Sequence, residues 1–595
     1  MQEREFKQRL EKACQEANRL KALNDRFVNR RMLVFFVGAL LVGGLLYRKS
    51  STLAIGVGFV FIAAFIFLMA RHNKVKRDLR KCEILRSIYE DFLKRINGGW
   101  TTFPDTGEEF LTPDHPYSSD LNIFGAKSLF QLINLTHTFK GRHRLATLFS
   151  SPDCHYENII KRQGAVKELS AKLDFIEELT LRGMLYKKTA KDPEGLLNAI
   201  RQSERVPAIL KSPVLHFGLP LLTLASALLA GRVFPWLYLF FLSGLILQLV
   251  LFAWSFKTLS PYLGLVHQYK NELETYQKLI ELIEEEDFAD PYLNGLKGNL
   301  LGKNNKASSE IKRITALSEY IDFKHSPLIY FILNALFLWD FHLYRSLERW
   351  KKDNTHRVDQ WLEILGEYEA LASLSALALI TPVSTYPDLT QGKPAFSALE
   401  LSHPYIPYEK RIPNNVTING VSIITGSNMS GKTTLLRTVG TNLVLAYAGA
   451  PVCAKAMSAG LMSLFTSMRN IDDLSEGVST FYAELLRIKK IVDSSRKEKN
   501  MIFLIDEIFK GTNSKDRIEG AKIVLRGLNK PWTIGLISTH DYELCDLEAE
   551  DSLRFSNLHF TESYSNNRIH FDYKLHKGRC KTSNARYLMK MVGLE

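Results

Sequence analysis

The chain has 595 residues, with 77 Lys and Arg against 63 Asp and Glu, giving a formal net charge of +14. That length holds two or three domains, and the positive balance suits either nucleic acid or an anionic membrane surface as a partner. The six cysteines (Cys14, Cys82, Cys154, Cys453, Cys545 and Cys580) are scattered, with no C-x-x-C pair or His cluster; spacing gives no sign of a Cys/His metal site, and spread thiols suit a reducing cytosol.

Segment 1–31 is strongly charged, yet Phe6, Leu10, Ala13, Ala17, Leu20, Asn24 and Phe27 alternate steps of four and three, the spacing of an amphipathic helix with a packing seam. Met32–Tyr47 is a run without charge, Arg48-Lys49 interrupts it, and Ser50–Ala70 is a second such run. A spanning helix needs ~20 apolar residues. The first run falls short of this, and Arg31 and Arg48 can snorkel to close the gap. Segment 71–110 reads as a juxtamembrane helix. Its Val75, Leu79, Cys82, Arg86, Tyr89, Leu93 and Ile96 repeat the seam more weakly, so pairing with the first helix and a solvated amphipathic helix both stay open.

Segment 111–211 reads as the first part of a soluble helical core. Ser212–Gly231 and Val233–Phe256 are further apolar runs, separated by Arg232 alone. The pattern predicts transmembrane hairpins at 32–70 and 212–256 with very short outer turns. The alternative, four core helices, would have to hide two adjacent apolar pairs inside a soluble protein. Arg26, Arg30 and Arg31 precede the first run, and Arg71, Lys74, Lys76, Arg77, Arg80 and Lys81 follow the second. The positive-inside rule therefore places the N-terminus and both soluble regions in the cytoplasm, with the basic cluster facing anionic lipid. No cleavable signal is evident, because charged residues dominate the stretch before the first run. Segment 257–390 reads as the second part of the helical core. Its apolar stretch Pro327–Trp339 is too short to span and is expected as a core helix. Gln391-Gly392-Lys393-Pro394 opens the last domain, 391–595.

That domain carries the chemistry. The apolar strand Val421–Ile424 leads into Gly426-Ser427-Asn428-Met429-Ser430-Gly431-Lys432-Thr433-Thr434, a G-x-x-x-x-G-K-T loop before a helical pattern. Glycines let backbone N–H groups wrap phosphate, and the helix N-terminus adds positive potential. Lys432 is placed for the β- and γ-phosphates and Thr433 for Mg²⁺. A second apolar run, Met501–Ile505, ends in Asp506-Glu507: the first carboxylate suits Mg²⁺, the second a general base that polarises water. A third strand, Trp532–Ile537, ends in Ser538-Thr539-His540, and His540 is placed to sense the γ-phosphate. Each residue alone could be a solvated strand end or loop residue. In this order they predict Mg²⁺-dependent ATP hydrolysis, with Glu507, His540 and Lys432 as catalytic residues.

From His403 onward the chain resembles the ATPase domain of the MutS family, part of the ABC ATPase superfamily. TGSNMSGKTT is similar to the family's T-G-P-N-M-G-G-K-S-T, and the segment from Asp506 to Arg517 is similar to D-E-[IL]-G-R-G-T-S-T-x-D-G. His403-Pro404 and Pro413-Asn414-Asn415 look like the H-P and P-N-[DN] elements, which implies that Asn414 borders the adenine. Gly477–Glu484 looks like G-x-S-T-F-x-x-E, which implies that Ser479 reaches the nucleotide of the opposite subunit. Thr539–Leu544 fits T-H-x-x-E-L, and Tyr573–Leu594 resembles the closing strand and helix. Upstream, Ser128–Asn134, Thr136, Thr138, Gly141-Arg142 and Ile159–Val166 look like the start of the family's helical lever. Departures are Arg517 in place of Gly, Ser427 and Ser430 in place of Pro and Gly, and a short Arg469–Asp473 stretch.

The resemblance implies an α/β P-loop, ABC-type ATPase domain at the C-terminus, preceded by a helical lever, into which the apolar runs insert two transmembrane hairpins. The resemblance implies a homodimer with ATP sandwiched between Lys432 and Glu507 of one subunit and the Ser479 region of the other; the apolar runs place it at the inner cell membrane. The lever would pass opening and closing toward the bilayer. Mismatch-reading members carry an F-x-E wedge. Phe175-Ile176-Glu177 and Phe560-Thr561-Glu562 fit its letters but lie in a helical stretch and in the last domain, so both read as coincidence. The mismatch-recognition domain and the family's C-terminal extension are expected to be absent. DNA is thus one candidate client, by resemblance to mismatch repair. The alternative is a membrane ATPase without a nucleic-acid role, acting on a membrane or protein partner still unknown. A transporter fits less well, with no intramembrane charge to mark a pathway. A non-hydrolysing scaffold is disfavoured by the intact Asp506 and Glu507.

Overall fold

The computed structural model describes residues 2–151, 155–186, 191–201, 212, 214–231, 234–302, 305–321, 326–468, 480–509, 513–565 and 568–580. They fall into two compact units. One is formed by Met1–Leu135, Leu145–Leu173 and Leu371–Glu595, the other by Thr136–Arg144 and Asp174–Ala370.

The first unit begins with a long hairpin of two helices, α1 (Gln2–Tyr47) and α2 (Ser51–Asn97). The reversal is a Schellman turn: Ser50 N–H donates to Leu45 C=O at 3.0 Å and Lys49 N–H to Leu46 C=O at 2.9 Å. Lys49 holds the left-handed conformation at φ 59° that glycine more often takes. In the charged halves the helices pair as the spacing allows. Phe6 stacks on Phe92 with ring centroids 4.7 Å apart, and Ala13, Ala17, Ile88 and Tyr89 are buried along the seam. Near the start of the apolar halves, His72 bridges Asn24 Oδ1 at 2.8 Å and Arg31 at 2.9 Å. Beyond this layer the large side chains of both helices, among them Leu40 and Phe59, are exposed. Each helix is long and apolar enough to cross a membrane.

At its base the hairpin docks on the same unit. Arg95 donates to Leu132 C=O at 2.9 Å and to Asn134 C=O at 3.0 Å, and burial pushes its guanidinium down to about 10. Trp100, just after α2, is buried with its ring edge against Tyr405, 5.9 Å away.

The rest of the unit is built on two sheets. Strands β1 (Asp388–Thr390), β2 (Phe396–Leu401), β3 (Asn414–Ile418) and β5 (Ala456–Gly460) form the smaller, ordered β1-β5-β2-β3. The larger is ordered β10-β9-β4-β8-β7-β6, with β4 (Val421–Thr425), β6 (Ser463–Ser467), β7 (Met501–Asp506), β8 (Thr533–Thr539), β9 (Phe555–Ser565) and β10 (Arg568–Lys577). Neighbours from β9 through β6 are parallel, and β10 closes the edge antiparallel. Strands β4, β7 and β8 are buried along their whole length, which is why they read as unbroken apolar runs rather than alternating ones. Gly535 of β8 is required by packing, since a Cβ there would sit 2.5 Å from the Phe503 ring of β7. One face of the sheet buries Val421, Phe503, Ile537, Leu525, Leu528 and Phe555 in a single cluster. The helix Lys432–Ala448 packs close to β7, with Leu504 3.0 Å from the position of a Gly440 Cβ.

The second unit is helical. Its Glu369 carboxylate is buried and accepts from His137 N–H at 2.8 Å, Thr138 N–H at 3.3 Å and the Thr138 hydroxyl. Gly141 is small for that reason, because a Cβ would strike Glu369 Oε2. Phe175 packs edge-on against Phe288, 5.4 Å away, which makes it a core residue rather than a wedge. The helix Leu237–His267 carries a segment long and apolar enough to cross a membrane, Leu237–Ser260. Its neighbour Leu219–Ala230 has 12 residues, fewer than the ~20 of a span. The two pack closely where Gly244 faces Thr223 and Gln248 donates to the Thr223 hydroxyl at 3.2 Å.

Pro327–Trp339 differs from the core helix expected of it. It forms the helix Pro327–Phe337, followed by a bend of 80° into Trp339–Ile380. Leu328, Ile329, Phe331, Ile332 and Phe337 stay exposed. Only Tyr330, Asn334 and Ala335 of this helix are buried, so among the described residues most of its apolar surface has no protein cover.

Candidate functional site

Three adjacent parallel strands deliver the predicted residues to one sheet edge. Thr425 of β4 pairs with Thr539 of β8, and Asp506 of β7 pairs with Ser538 of β8, so the segments after each strand start side by side. This is the crevice beyond carboxyl strand ends where open α/β sheets hold ligands.

The loop after β4 turns through Gly431 at φ 108°, a conformation that favours glycine. Lys432 then starts the helix. It is buried, and its Nζ donates to Gly426 C=O at 2.8 Å and Ser427 C=O at 2.9 Å. The Thr433 hydroxyl donates to Asp506 Oδ2 at 2.7 Å, and the Ser538 hydroxyl donates to Asp506 Oδ1. Glu507 sits one residue on at φ 55°, its N–H bonded to Ser538 C=O at 3.0 Å. His540 Nε2 lies 3.0 Å from Glu507 Oε1, 2.9 Å from Asn428 Oδ1 and 3.4 Å from Lys432 Nζ. Ser427 donates its hydroxyl to Glu562 of β9. Met429 extends from the loop with 86% of its surface exposed, whereas Ser430 is buried and its hydroxyl oxygen has no partner among the described residues. That orphaned hydroxyl and the N–H groups around it fit a phosphate oxygen as the missing acceptor.

The donor set fits Mg²⁺ equally well. Thr433 and Asp506 are within hydrogen-bond distance of one another and present hard oxygen ligands only. Among the described residues no group of three or more His, Cys, Asp or Glu could hold a metal by itself. Mg²⁺ characteristically uses one or two protein oxygens and completes its shell with water and phosphate.

Beside the loop is a cavity of about 220 Å³ lined by His403, Ile412, Asn414, Thr434, Phe560 and Tyr573, among others. Asn414 is on its wall, but both ends of its amide are committed: Nδ2 donates to Tyr573 C=O at 2.9 Å and Oδ1 accepts from Leu575 N–H at 2.8 Å. Its visible work is to hold β10 against β3, where the register of β10 shifts between Phe571 and Leu575. That shift and the left-handed Tyr573 (φ 53°) put an aromatic ring beside the loop. Sequence reasoning missed Tyr573 as a site residue, as it did Ser538 and Glu562. Ser538 had a signal, since it precedes His540 at the same strand end; Tyr573 and Glu562 come from an edge hairpin whose register no local motif encodes.

His403 is buried on the cavity wall, and burial first, then the Arg437 and Arg411 guanidinium groups, push its imidazole down to about 3. The unfolded chain takes up this proton below ~6.5, the folded chain only near 3. The stability is therefore complete above ~6.5 and is lost as pH falls below it. Between pH 7.5 and 5 this one group should cost about 2 kcal/mol. Thermal unfolding followed over that range should show a flatter pH slope in His403→Gln than in the parent; equal slopes would contradict the assignment.

Ser479 and the segment Arg469–Asp473 lie outside the described residues, as do residues 581–595 of the resemblance's closing helix. Of the G-x-S-T-F-x-x-E segment, Glu484 is described, in the helix Thr480–Lys497, and it accepts from Phe509 N–H in the loop after β7. Arg517, the departure in that loop region, forms a two-pronged pair with Asp541, at 2.7 and 2.6 Å, directly after His540.

Fold and site together define a mixed α/β domain whose central parallel strands gather a G-x-x-x-x-G-K-T loop, a carboxylate pair and a histidine. Residues 422–594 match the family model for MutS domain V. The chain is also similar to proteins named DNA mismatch repair protein MutS. The one from Aquifex pyrophilus is 28% identical over 78% of this chain and 58% of its own length. Those from Halothermothrix orenii and Staphylococcus aureus are 27% and 29% identical over 43% of this chain, and over 29% and 30% of their own length. The chain thus spans less than two thirds of the relatives it matches, and the similarity supports kinship with the MutS family.

Proposed function

We propose that this protein is a membrane-anchored ATPase whose nucleotide site is completed by a second copy of the chain. The observation that carries the reading is the placement, at adjacent strand ends, of two hydrogen-bonded groups: Thr433 and Ser538 on Asp506, and His540 between Lys432 and Glu507. When bound, Mg²⁺ would draw charge from the phosphate oxygens. Lys432 supplies a buried positive charge to the same oxygens, and the loop N–H groups orient them. Glu507 accepts the proton of the attacking water, with His540 fixing its carboxylate. The cavity beside the loop takes the base, with the Tyr573 ring as a stacking surface. The apolar helices of each unit anchor it in the bilayer.

The similar proteins are named for DNA mismatch repair, which makes DNA the first client to test; the long apolar helices favour a membrane or protein client as the second reading. One experiment separates them: the ATPase rate in nanodiscs with and without duplex, mismatched and branched DNA, at two salt concentrations. Stimulation that weakens with salt supports a nucleic-acid client. A robust basal rate indifferent to every DNA moves the assignment to a membrane or protein client. The composite site has its own test. Ser479→Arg should bind ATP normally but lose dimer ATPase; an unchanged rate would sink the two-chain site.

A further inference from the structure

The helix Pro327–Phe337 has one face without cover among the described residues and contains no charged residue. On it Leu328 is 72% exposed, Ile329 47%, Phe331 48% and Ile332 43%. Water is an unsuitable partner for so large a contiguous apolar surface. The helix is fixed to the spanning segment of the same unit through the buried Tyr330 and through Phe331 at the edge of the uncovered face. Phe252 lies with ring centroids 5.7 Å from Tyr330 and 5.9 Å from Phe331, and Phe256 lies 6.5 Å from Tyr330. Phe256 and Val250 are themselves exposed. The uncovered face of the short helix is thus continuous with the outward face of Leu237–Ser260, the segment long enough to cross a bilayer.

The geometry is held in place rather than left loose. Leu338 adopts the left-handed conformation at φ 53° and ends the helix. The Asn334 side chain accepts from Asp340 N–H at 3.0 Å across the break. The Tyr330 hydroxyl donates to Asp340 Oδ2 at 2.6 Å, and the Ser255 hydroxyl reaches the same oxygen at 3.4 Å. These bonds give the Asp340 N–H and one oxygen of its carboxylate partners at the break, as irregular backbone near hydrocarbon requires. Eleven residues extend about 16 Å, roughly half of a ~30 Å hydrocarbon core. The next helix, Trp339–Ile380, turns away by 80° and is rich in charge.

We infer that Pro327–Phe337 is a re-entrant membrane element, embedded by its Leu328–Ile332 face in the hydrocarbon beside Leu237–Ser260 without crossing it. This rests on the reading of Leu237–Ser260 as a spanning segment, and the test separates the two. In the full chain, freed of its native cysteines and reconstituted in nanodiscs, single nitroxide labels are placed at Leu328, Ile332, Ile246 of the spanning segment and Ile523 of the ATPase domain. Collision with oxygen and with a water-soluble nickel chelate is then measured at each. The expected oxygen-to-nickel ratio at Leu328 and Ile332 is several-fold above that at Ile523 and comparable to that at Ile246. A lipid value at Ile246 with an aqueous value at Leu328 and Ile332 overturns the proposal and leaves the spanning reading intact. Labels at Leu328 and Ile332 that are immobile and shielded from both reagents overturn it too, since protein then covers the face. An aqueous value at Ile246 removes the spanning reading itself, and the proposal with it.

Discussion

Glu507→Gln is expected to bind ATP and yet turn it over on the order of 100- to 10,000-fold more slowly than the parent, the range a positioned general base contributes. The substitution keeps size and one hydrogen-bond acceptor but removes the proton-accepting oxygen. Glu507 is suited to that role by placement: it follows the strand end that carries Asp506, and its carboxylate lies 3.0 Å from His540 Nε2. Its backbone holds φ 55°, a conformation uncommon for a residue other than glycine, asparagine or aspartate. Holding it there takes a bond from its own N–H to Ser538. Because binding survives while release chemistry is blocked, the variant should also accumulate as an ATP-bound dimer. Steady-state phosphate release together with light scattering measures both. A normal rate would remove Glu507 from the reaction.

Lys432→Ala should act one step earlier, on binding. Its ammonium is buried between the Gly426 and Ser427 carbonyls, so truncation removes the charge and leaves two acceptors unsatisfied. Removing one partner of a buried charged pair costs about 2–5 kcal/mol, equivalent to a loss of roughly 30- to 4,000-fold in ATP affinity. Titration with a fluorescent ATP analogue measures it, and an unchanged melting temperature shows that the fold survives. Parent-like affinity would rule out Lys432 as a phosphate ligand.

The residues of the proposed nucleotide site were legible because their chemistry is local. Lys432 and Thr433 sit at fixed offsets from glycines, and Asp506 and Glu507 end an apolar run. The relation between those segments was implied only by their order. What the sequence could not convey was set by long-range pairing. The resemblance implies that Asn414 borders the adenine, and it lines the cavity beside the loop, but no local motif shows that its amide is bonded to Tyr573 and Leu575 of β10, far along the chain. Tyr573 enters the site through a register shift in an edge hairpin. Pro327–Trp339 misled for a related reason: length excludes a full span, and composition cannot distinguish a core helix from one whose outer face is left open. The seam of α1 was visible in its heptad steps, whereas that of α2 was blurred by Arg86 and Cys82, and only the Phe6–Phe92 stack and the buried alanines settle the pairing.

The α1–α2 hairpin has a further consequence. Its apolar tips are at one end and its docking base, with Arg95 and Trp100 against the rest of its unit, is at the other. The charged stretch between them is continuous helix, and thirty residues of helix extend about 45 Å. With the tips in lipid, such a rod is a stand-off rather than a leash. It holds the unit that carries the proposed site within a thin layer above the bilayer and limits its tumbling. Encounters between two copies then become a search in a plane, governed by how many molecules share a patch of membrane rather than by bulk concentration. Dilution of the cell volume would leave such pairing untouched, and expansion of the membrane area would weaken it.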